Sequence, residues 1–398
     1  MQTKVTDDRQ STLARTIVVQ GREQRSPDTV RFEFDALLPD SSRSQTIWYE
    51  YSQGPLPPAL ERLDMAAIVF YQYAARLGFN LFFEGAVSRQ LLENLERFGA
   101  IWRSWKPDIY NKITLAAEIE ADDKGIGPAG DRAILAYSGG VDSNAVLIRH
   151  MNGIGRATRK LEAALLIHGL DIPLTEPQGF IEAKKRATEG LDAFGLPLAV
   201  VRTNIMDIAG NHWNMEHGTA LTSCLHAYSG DLDYGLLAED FHYGHLVESV
   251  AWGNNPLTIP LISSGRFAIR PDGGELTRLE KVDLLAKYPV IVKNLRVCFV
   301  TYGGNCGLCE KCTRTQLNFL LKGHDPTPLF PNEITFWRLI RVRVRSQVAS
   351  WKIITKGLPM AGQPFSWRIA IRIARLKSSF LNHLHAIDAW RRGKFKKQ

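Results

Sequence analysis

Residues 133–148, AILAYSGGVDSNAVLI, are an apolar run, a six-residue polar break and a second apolar run. The pattern reads as a buried strand that turns sharply into a helix. A turn of small residues exposes several backbone N–H groups, and the following helix adds its positive end, so the turn is suited to hold an anion. The glycines let the backbone approach a ligand closely, while Ser138 and Ser143 supply hydroxyl donors. Asp142 would repel a phosphate on its own. It fits either as a helix cap or as a ligand to a Mg²⁺ that bridges phosphates. A turn that only connects strand to helix is the plain alternative, and the apolar strand before it and helical pattern after it argue against that.

Beyond the turn, short apolar runs at 133–137, 163–169, 198–203 and 234–239 alternate with helical patterns over 143–151, 177–194 and 217–228. This alternation predicts an α/β, doubly wound parallel sheet, whose ligands bind beyond the carboxyl ends of the strands. Residues 1–125 read as a separate mixed α+β domain, with strands near 16–24 and 29–38 and helices over 56–78 and 88–105. The charged, glycine-rich stretch 121–131 reads as a linker. The chain of 398 residues is too long for one core. Three units are expected: 1–125, a nucleotide-binding domain over 126–325, and a basic helical segment over 326–398.

Four of the five cysteines, Cys298, Cys306, Cys309 and Cys312, fall within fifteen positions. No apolar run approaches the ~18 residues of a membrane span, and MQTKVTDDRQSTLARTIVV lacks the apolar block of a secretory signal, so a cytoplasmic location is expected. In a reducing compartment such crowding of thiols argues for metal ligation rather than disulfides. The spacing C-x7-C-x2-C-x2-C can close a tetrahedron with no open position, which favours a structural Zn²⁺. An iron–sulfur cluster also takes four thiolates, although the C-x3-C-P run of bacterial ferredoxins is absent. Cys224, in TALTSCLHAY, reads as a buried apolar filler rather than a nucleophile.

The P-loop pattern G-x-x-x-x-G-K-[ST] is absent, which disfavours a kinase or GTPase. SGGVDS, residues 138–143, resembles the SGGxDS signature of the N-type ATP pyrophosphatases, the PP-loop superfamily. Joined to the cysteine cluster about 150 residues later, it looks like 7-cyano-7-deazaguanine synthase and its relatives over roughly residues 131–320. The resemblance implies a HUP-type (adenine nucleotide alpha hydrolase-like) fold, with ATP and Mg²⁺ at the turn and structural Zn²⁺ at the four cysteines. It implies that Ser138, Gly139, Gly140, Val141, Asp142 and Ser143 hold the pyrophosphate end of ATP. Lys281, in TRLEKVDLLAKYP after Pro260-Leu261, stands where the family has a lysine, so Asp142, Ser143 and Lys281 are the implied catalytic residues. Arg278 lies three positions earlier on the same helix face and is a further nucleotide-binding candidate.

The implied activity is that of an ATP-dependent carbon–nitrogen ligase, which makes AMP and pyrophosphate while a small-molecule carboxylate or amide is activated for attack by ammonia or an amine. Where the family carries a glutamine- and arginine-bearing stretch, this chain has His168-Gly169-Leu170-Asp171-Ile172-Pro173, and it has added segments at both ends. A deazaguanine-type or a macromolecular substrate is therefore open. No cysteine precedes Cys224, so a glutaminase with an amino-terminal cysteine is not expected. The polar, aromatic stretch 238–264 is expected to line the substrate site, with Glu239, Asp240 and Trp252 as candidates and His217-Gly218 opening a nearby helix. Two other readings compete: a tRNA-modifying sulfurtransferase and a non-catalytic ATP-binding module of a larger complex.

Residues 331–398 hold fifteen Lys or Arg against two acids, a net charge of +13, so the rest of the chain is at −5 within an overall +8. Residues 336–354 read as one amphipathic helix, with Phe336, Ile340, Val344, Val348, Trp351 and Ile354 on one face and Arg338, Arg341, Arg345 and Lys352 on another. A second such helix over 366–390 carries Arg368, Arg372 and Arg375. These helices suit nucleic acid, an acidic protein or an anionic membrane surface, or they pack on the body with their arginines in water or against the body's own negative charge.

Overall fold

The computed structural model describes residues 15–39, 44–123, 129–246, 251–344 and 348–379. Its frame is a mostly parallel ten-stranded sheet. The strands are β1 (Thr16–Arg25), β2 (Val30–Leu37), β3 (Ser44–Gln53), β4 (Asn80–Ser88), β5 (Leu115–Ala121), β6 (Arg132–Ala136), β7 (Lys160–His168), β8 (Leu198–Thr203), β9 (Tyr234–Ala238) and β10 (Ala268–Asp272). Their order is β10-β9-β6-β7-β8-β3-β2-β1-β4-β5. From β10 to β8 every pairing is parallel. The chain winds outward from β6 in one direction through β7 and β8, and in the other through β9 and β10. The crevice beyond the carboxyl ends of β6 and β9 is therefore the switch point at which such sheets bind ligands.

The four expected strands of this half form as β6 to β9, and helices α3 (Val141–Met151), α4 (Pro177–Asp192) and α5 (Trp213–His226) fill the gaps between them. Two earlier helices, α1 (Asp64–Leu77) and α2 (Arg89–Trp105), belong to the amino-terminal part. The expected helix over 56–78 starts only at Asp64, because the Leu60 N–H donates to Glu23 at 2.8 Å and the Leu63 N–H to the Ala86 carbonyl at 2.7 Å instead of to a helical ladder. Alternate residues of the central strands serve opposite faces. Ala163, Leu165 and Ile167 of β7 join the core under α1, α2 and α5, whereas Ala164 and Leu166 join the core under α3 and α4.

The stretch 121–131 separates strands that share one sheet. Strand β3 pairs antiparallel with β8, placing Tyr49 beside Thr203 and Tyr51 beside Val201. Across this seam the Asn204 amide donates to the Thr46 carbonyl at 2.9 Å and accepts from the Trp48 N–H at 2.9 Å. The buried Tyr49 and Tyr51 hydroxyls donate to Ser223 Oγ and to the Cys224 carbonyl at 2.9 and 2.8 Å. Asp123, inside the expected linker, accepts from Ser88 Oγ at 2.6 Å and from the Gly265 N–H at 2.8 Å. Residues 124–128 of that stretch lie outside the described residues.

After β10 come α6 (Arg278–Ala286), α7 (Pro289–Asn294) and α8 (Glu310–Leu321), and then the basic segment as α9 (Phe336–Arg341), α10 (Val348–Gly357) and α11, residues 365–379. The single helix expected over 336–354 is thus broken: α9 ends before the β-branched residues at 342 and 344, and 345–347, including Arg345, lie outside the described residues. Leu339, Val344, Trp351, Ile354, Ala370 and Ile371 form a third core with Leu317 of α8, while Arg341, Lys352 and Arg372 face water. Val348, expected on the buried face, is exposed, and the end of the second basic helix, 380–390, lies outside the described residues. No helix of the described residues is long and apolar enough to cross a membrane.

Replacing Asn204 with Ala removes both side-chain bonds across the β3–β8 seam and strands two backbone groups. The expected loss is about 2 kcal/mol, read as a lower urea midpoint at unchanged m-value. An unshifted midpoint would show that the backbone ladder and packing hold the seam without Asn204.

Candidate active site

The turn after β6 is held from below. Gly139 has φ of +71°, a conformation that a residue with a side chain adopts only under strain. Gly140 sits at the amino end of α3 with no side chain to cap it. Ser138 Oγ accepts from the Gly140 N–H at 3.3 Å and lies 3.4 Å from Ser143 Oγ. The Asn144 amide donates to the Gly140 carbonyl at 2.9 Å, and its own oxygen accepts from the Tyr137 hydroxyl at 2.7 Å. Buried Arg296 then spans the outer strand of the turn, donating to the Ser138 carbonyl at 3.2 and 3.1 Å while its backbone N–H reaches the Gly139 carbonyl at 2.9 Å.

Asp142 does not cap its helix. Its Oδ2 accepts from Arg278 at 2.5 Å and its Oδ1 from Lys281 Nζ at 3.0 Å. Thr277 and Glu280 form a capping box that fixes the start of α6, and this puts Arg278 and Lys281 one turn apart on the face toward Asp142. Lys281 is buried and also donates to the Glu239 carbonyl at 2.7 Å. Burial disfavours the charge on Asp142, but Arg278 and Lys281 outweigh it and hold the carboxyl well below the usual carboxylate range.

Glu239, the first residue beyond β9, has the opposite fate. It is fully buried, and neither carboxylate oxygen has a hydrogen-bond partner. Burial first, and then the neighbouring Asp240, push its carboxyl up to about 8. Asp240 stays below its ordinary value: burial opposes ionisation, but His217 at 3.6 Å and the Trp252 indole at 3.1 Å support the charge. His217 lies one turn inside α5, which opens at Trp213 rather than at His217. Cys224 is buried against Tyr49 and Tyr51, and burial raises its thiol far above the range of a nucleophile.

The four clustered cysteines converge. Their sulfurs all lie within 4.8 Å of one another, with Cys298–Cys309 at 3.8 Å and Cys306–Cys312 at 4.0 Å. Backbone N–H groups of Val300, Thr301, Leu308, Cys309 and Cys312 point at the sulfurs from 3.2 to 3.4 Å, an arrangement that supports thiolates. The set could hold a metal ion. Arg338, expected on the solvent face of the tail, instead turns inward against this element. It donates to the Asn332 carbonyl and to Thr313 Oγ at 2.9 Å, and it also reaches the Gly307 carbonyl. Five neighbouring acceptors, the carbonyls of Asn332, Glu333 and Gly307 with Thr313 Oγ and Gln316 Oε1, replace water around the guanidinium.

The structure adds three residues that the sequence reading did not single out: Arg296 beneath the turn, and Arg314 and Asn318 on α8. The last two line a cavity together with Asp142, Asp240, Arg278 and Lys281. Arg314 stands four residues after Glu310 and bonds it at 2.9 Å, an i,i+4 signal present in the sequence. Arg296 and Asn318 had no such signal.

Comparison with models of known protein families, with curated proteins and with solved structures finds no match to this chain.

The titration of Glu239 sets a pH dependence. Its folded value, about 8, lies above its ordinary one, so its contribution to stability is full below about pH 4.5 and is lost as pH rises through 8. Glu239→Gln should flatten the decline in melting temperature between pH 5 and 8 and raise it most at pH 8, each pKa unit being worth about 1.4 kcal/mol. An identical pH profile for the variant and the parent would mean that the carboxyl is solvated.

Proposed function

We propose that the chain is an ATP-dependent carbon–nitrogen ligase of the PP-loop type, similar to 7-cyano-7-deazaguanine synthase, that converts ATP to AMP and pyrophosphate while activating a carboxylate. The observation that carries this reading is the position of SGGVDS: it leaves the carboxyl end of β6 at the switch point, with Asp142 gripped by Lys281 and Arg278 from α6. In this reading the HUP-type fold accounts for the β10-to-β8 half of the sheet.

The turn N–H groups with Ser138 and Ser143 hold the terminal phosphates of ATP, as glycine turns at helix amino ends do. Lys281, fixed by Asp142 and the Glu239 carbonyl, places its charge where negative charge builds on the α-phosphate. A carboxylate oxygen attacks the α-phosphorus, the bond to the β-phosphate oxygen breaks, and pyrophosphate departs with the electron pair. Ammonia or an amine then adds to the acyl carbon of the adenylate. The C–O bond to AMP breaks, and a nitrogen-bound proton passes to base. Ionised Asp142 stands beside the turn with one lone pair of each oxygen spent on Arg278 and Lys281, so it would hold Mg²⁺ through a remaining lone pair, and the ion would neutralise phosphate charge.

Zn²⁺ is the metal that the four cysteines fit best. Thiolates ~2.3 Å from one tetrahedral ion lie roughly 3.8 Å apart, which agrees with the 3.8 and 4.0 Å separations here. An iron–sulfur cluster would interpose several atoms and spread the sulfurs farther, which also weighs against the sulfurtransferase reading. Four sulfurs leave no site for substrate, so the ion acts structurally.

Pyrophosphate release from ATP and Mg²⁺ by the full chain, assayed with a panel of carboxylates that includes 7-carboxy-7-deazaguanine, tests the reading. Release should depend on one carboxylate and fall about 10²–10³-fold in Ser143→Ala and in Lys281→Ala. ATP binding with no release for any acid would replace the ligase by a binding module. Metal analysis should give one zinc and no iron per chain. Its removal by a chelator should loosen α8 to α11, seen as faster hydrogen exchange there, while β1–β5 keep their protection. Iron with acid-labile sulfide would overturn the zinc assignment.

A further inference from the structure

The cavity beside Asp142 is not the space above the glycine turn. Asp142, Lys281, Arg278, Arg314 and Asn318 line it, and none of Ser138, Gly139, Gly140 and Ser143 does. Its remaining wall includes Ser350 and Ile353 of α10, so the carboxy-terminal segment forms part of it.

Two of the lining side chains carry donors without acceptors. Arg278 spends one terminal nitrogen on Asp142, yet its Nε and Nη2 are buried and unpartnered. Asn318 is 2% exposed, and its Nδ2 has no partner. Stranded donors of this kind cost free energy that an anion in the cavity would recover. The carboxylates on the wall are already committed, Asp142 to Lys281 and Arg278, and Asp240 to Trp252 and His217. Arg314 is buried, and it is steadied by Glu310, which in turn accepts from the Trp351 indole of α10 at 2.7 Å. Phe241, Leu276, Leu279 and Ile353 give the cavity an apolar wall, and the polar His242, Thr277 and Ser350 complete the lining.

We propose that this cavity is the subsite for the carboxylate of an organic acid, held by Arg278, Arg314 and Asn318, and that α10 is part of the substrate site. A flat guanidinium beside an amide donor matches a planar carboxylate, and the apolar wall suits a carbon skeleton rather than inorganic phosphate. Asp142 and Lys281 border both the turn and the cavity, so the acid lies next to the phosphates held at the turn. This deepens the ligase reading and rests on it for the identity of the acid as acyl donor. Trp351 acts as a positioning residue through Glu310.

Titration calorimetry on the full chain, with succinate and inorganic pyrophosphate as separate probes, tests the proposal. Succinate binding should weaken at least tenfold in Arg314→Gln and Asn318→Leu and about threefold in Trp351→Phe, and by less than twofold in Ser143→Ala. Circular dichroism and zinc content should be unchanged in each. Pyrophosphate binding should respond in the reverse order, falling most in Ser143→Ala. If succinate fails to bind at 50 mM, or binds all variants equally, the carboxylate subsite is overturned. It is also overturned if Arg314→Gln and Asn318→Leu weaken pyrophosphate alone, since the cavity would then be an extension of the phosphate site. Succinate binding with the expected pattern, but without pyrophosphate or ATP binding, would refute the ligase reading and leave the subsite standing.

Discussion

The ion pairs of Asp142 with Lys281 and Arg278 tie together, by buried charge, three parts of the chain that also pack on one another. They join the turn after β6, the residue after β9 and the amino end of α6. A buried charge is tolerable only when paired, and removing one partner strands the others at a cost of about 3–5 kcal/mol. Lys281 has no water to turn to, so it also takes the Glu239 carbonyl. The arrangement is therefore a closed account among protein groups, and it leaves the turn's own donors and the outer nitrogens of Arg278 available to a ligand.

The rest of the sheet serves this point indirectly. A parallel sheet ending at β8 would expose a full edge of unpaired backbone groups. Here β3 covers that edge, and the amino-terminal strands continue the sheet, so the segment before residue 125 acts as a flank of the parallel half. Below the seam, Arg76 pairs with buried Glu216 at 2.8 Å, and Tyr110 donates to the same carboxylate at 3.1 Å. Burial pushes the Glu216 carboxyl up to about 7 in spite of Arg76, so this link between α1 and α5 is one of hydrogen bonding as much as of charge.

Much of the site was legible because its chemistry is local. SGGVDS needs only a strand before it and a helix after it, and the cysteines need only their spacing. Lys281 and Arg278 fell on one helix face by simple periodicity. The strands β6 to β9 were legible as apolar runs, whereas β10, AIRPD, carries Pro271 and an aspartate and reads as a loop until β9 offers it an edge. Strands β3, β4 and β5 had no apolar run as plain as those, and their place is decided by pairing across the sheet. The tail was misread at Arg338 for a related reason. Periodicity sorts residues into faces but does not know that carbonyls of 307, 332 and 333 wait on the apolar side. Arg296 and Asn318 reach the candidate site only through long-range contacts, and no pattern along the chain marks them.

Those contacts also explain why a cysteine cluster belongs in this protein. Arg296 lies two residues before Cys298, and Arg314 two residues after Cys312. The first braces the turn from below and the second lines the cavity beside Asp142. The stretch between them has little regular structure before α8 and a sequence rich in glycine, so hydrophobic burial alone is a weak way to fix its ends. An ion joining the four sulfurs would fix both ends at once, because it would close the loop and orient the first turn of α8, where Cys309 accepts from the Cys312 N–H. Such a metal centre would set the geometry of the site without touching a substrate. On this argument the bracing by Arg338 and Trp351 from the tail is a second support for the same loop, and the added carboxy-terminal segment and the cysteine element work as one unit.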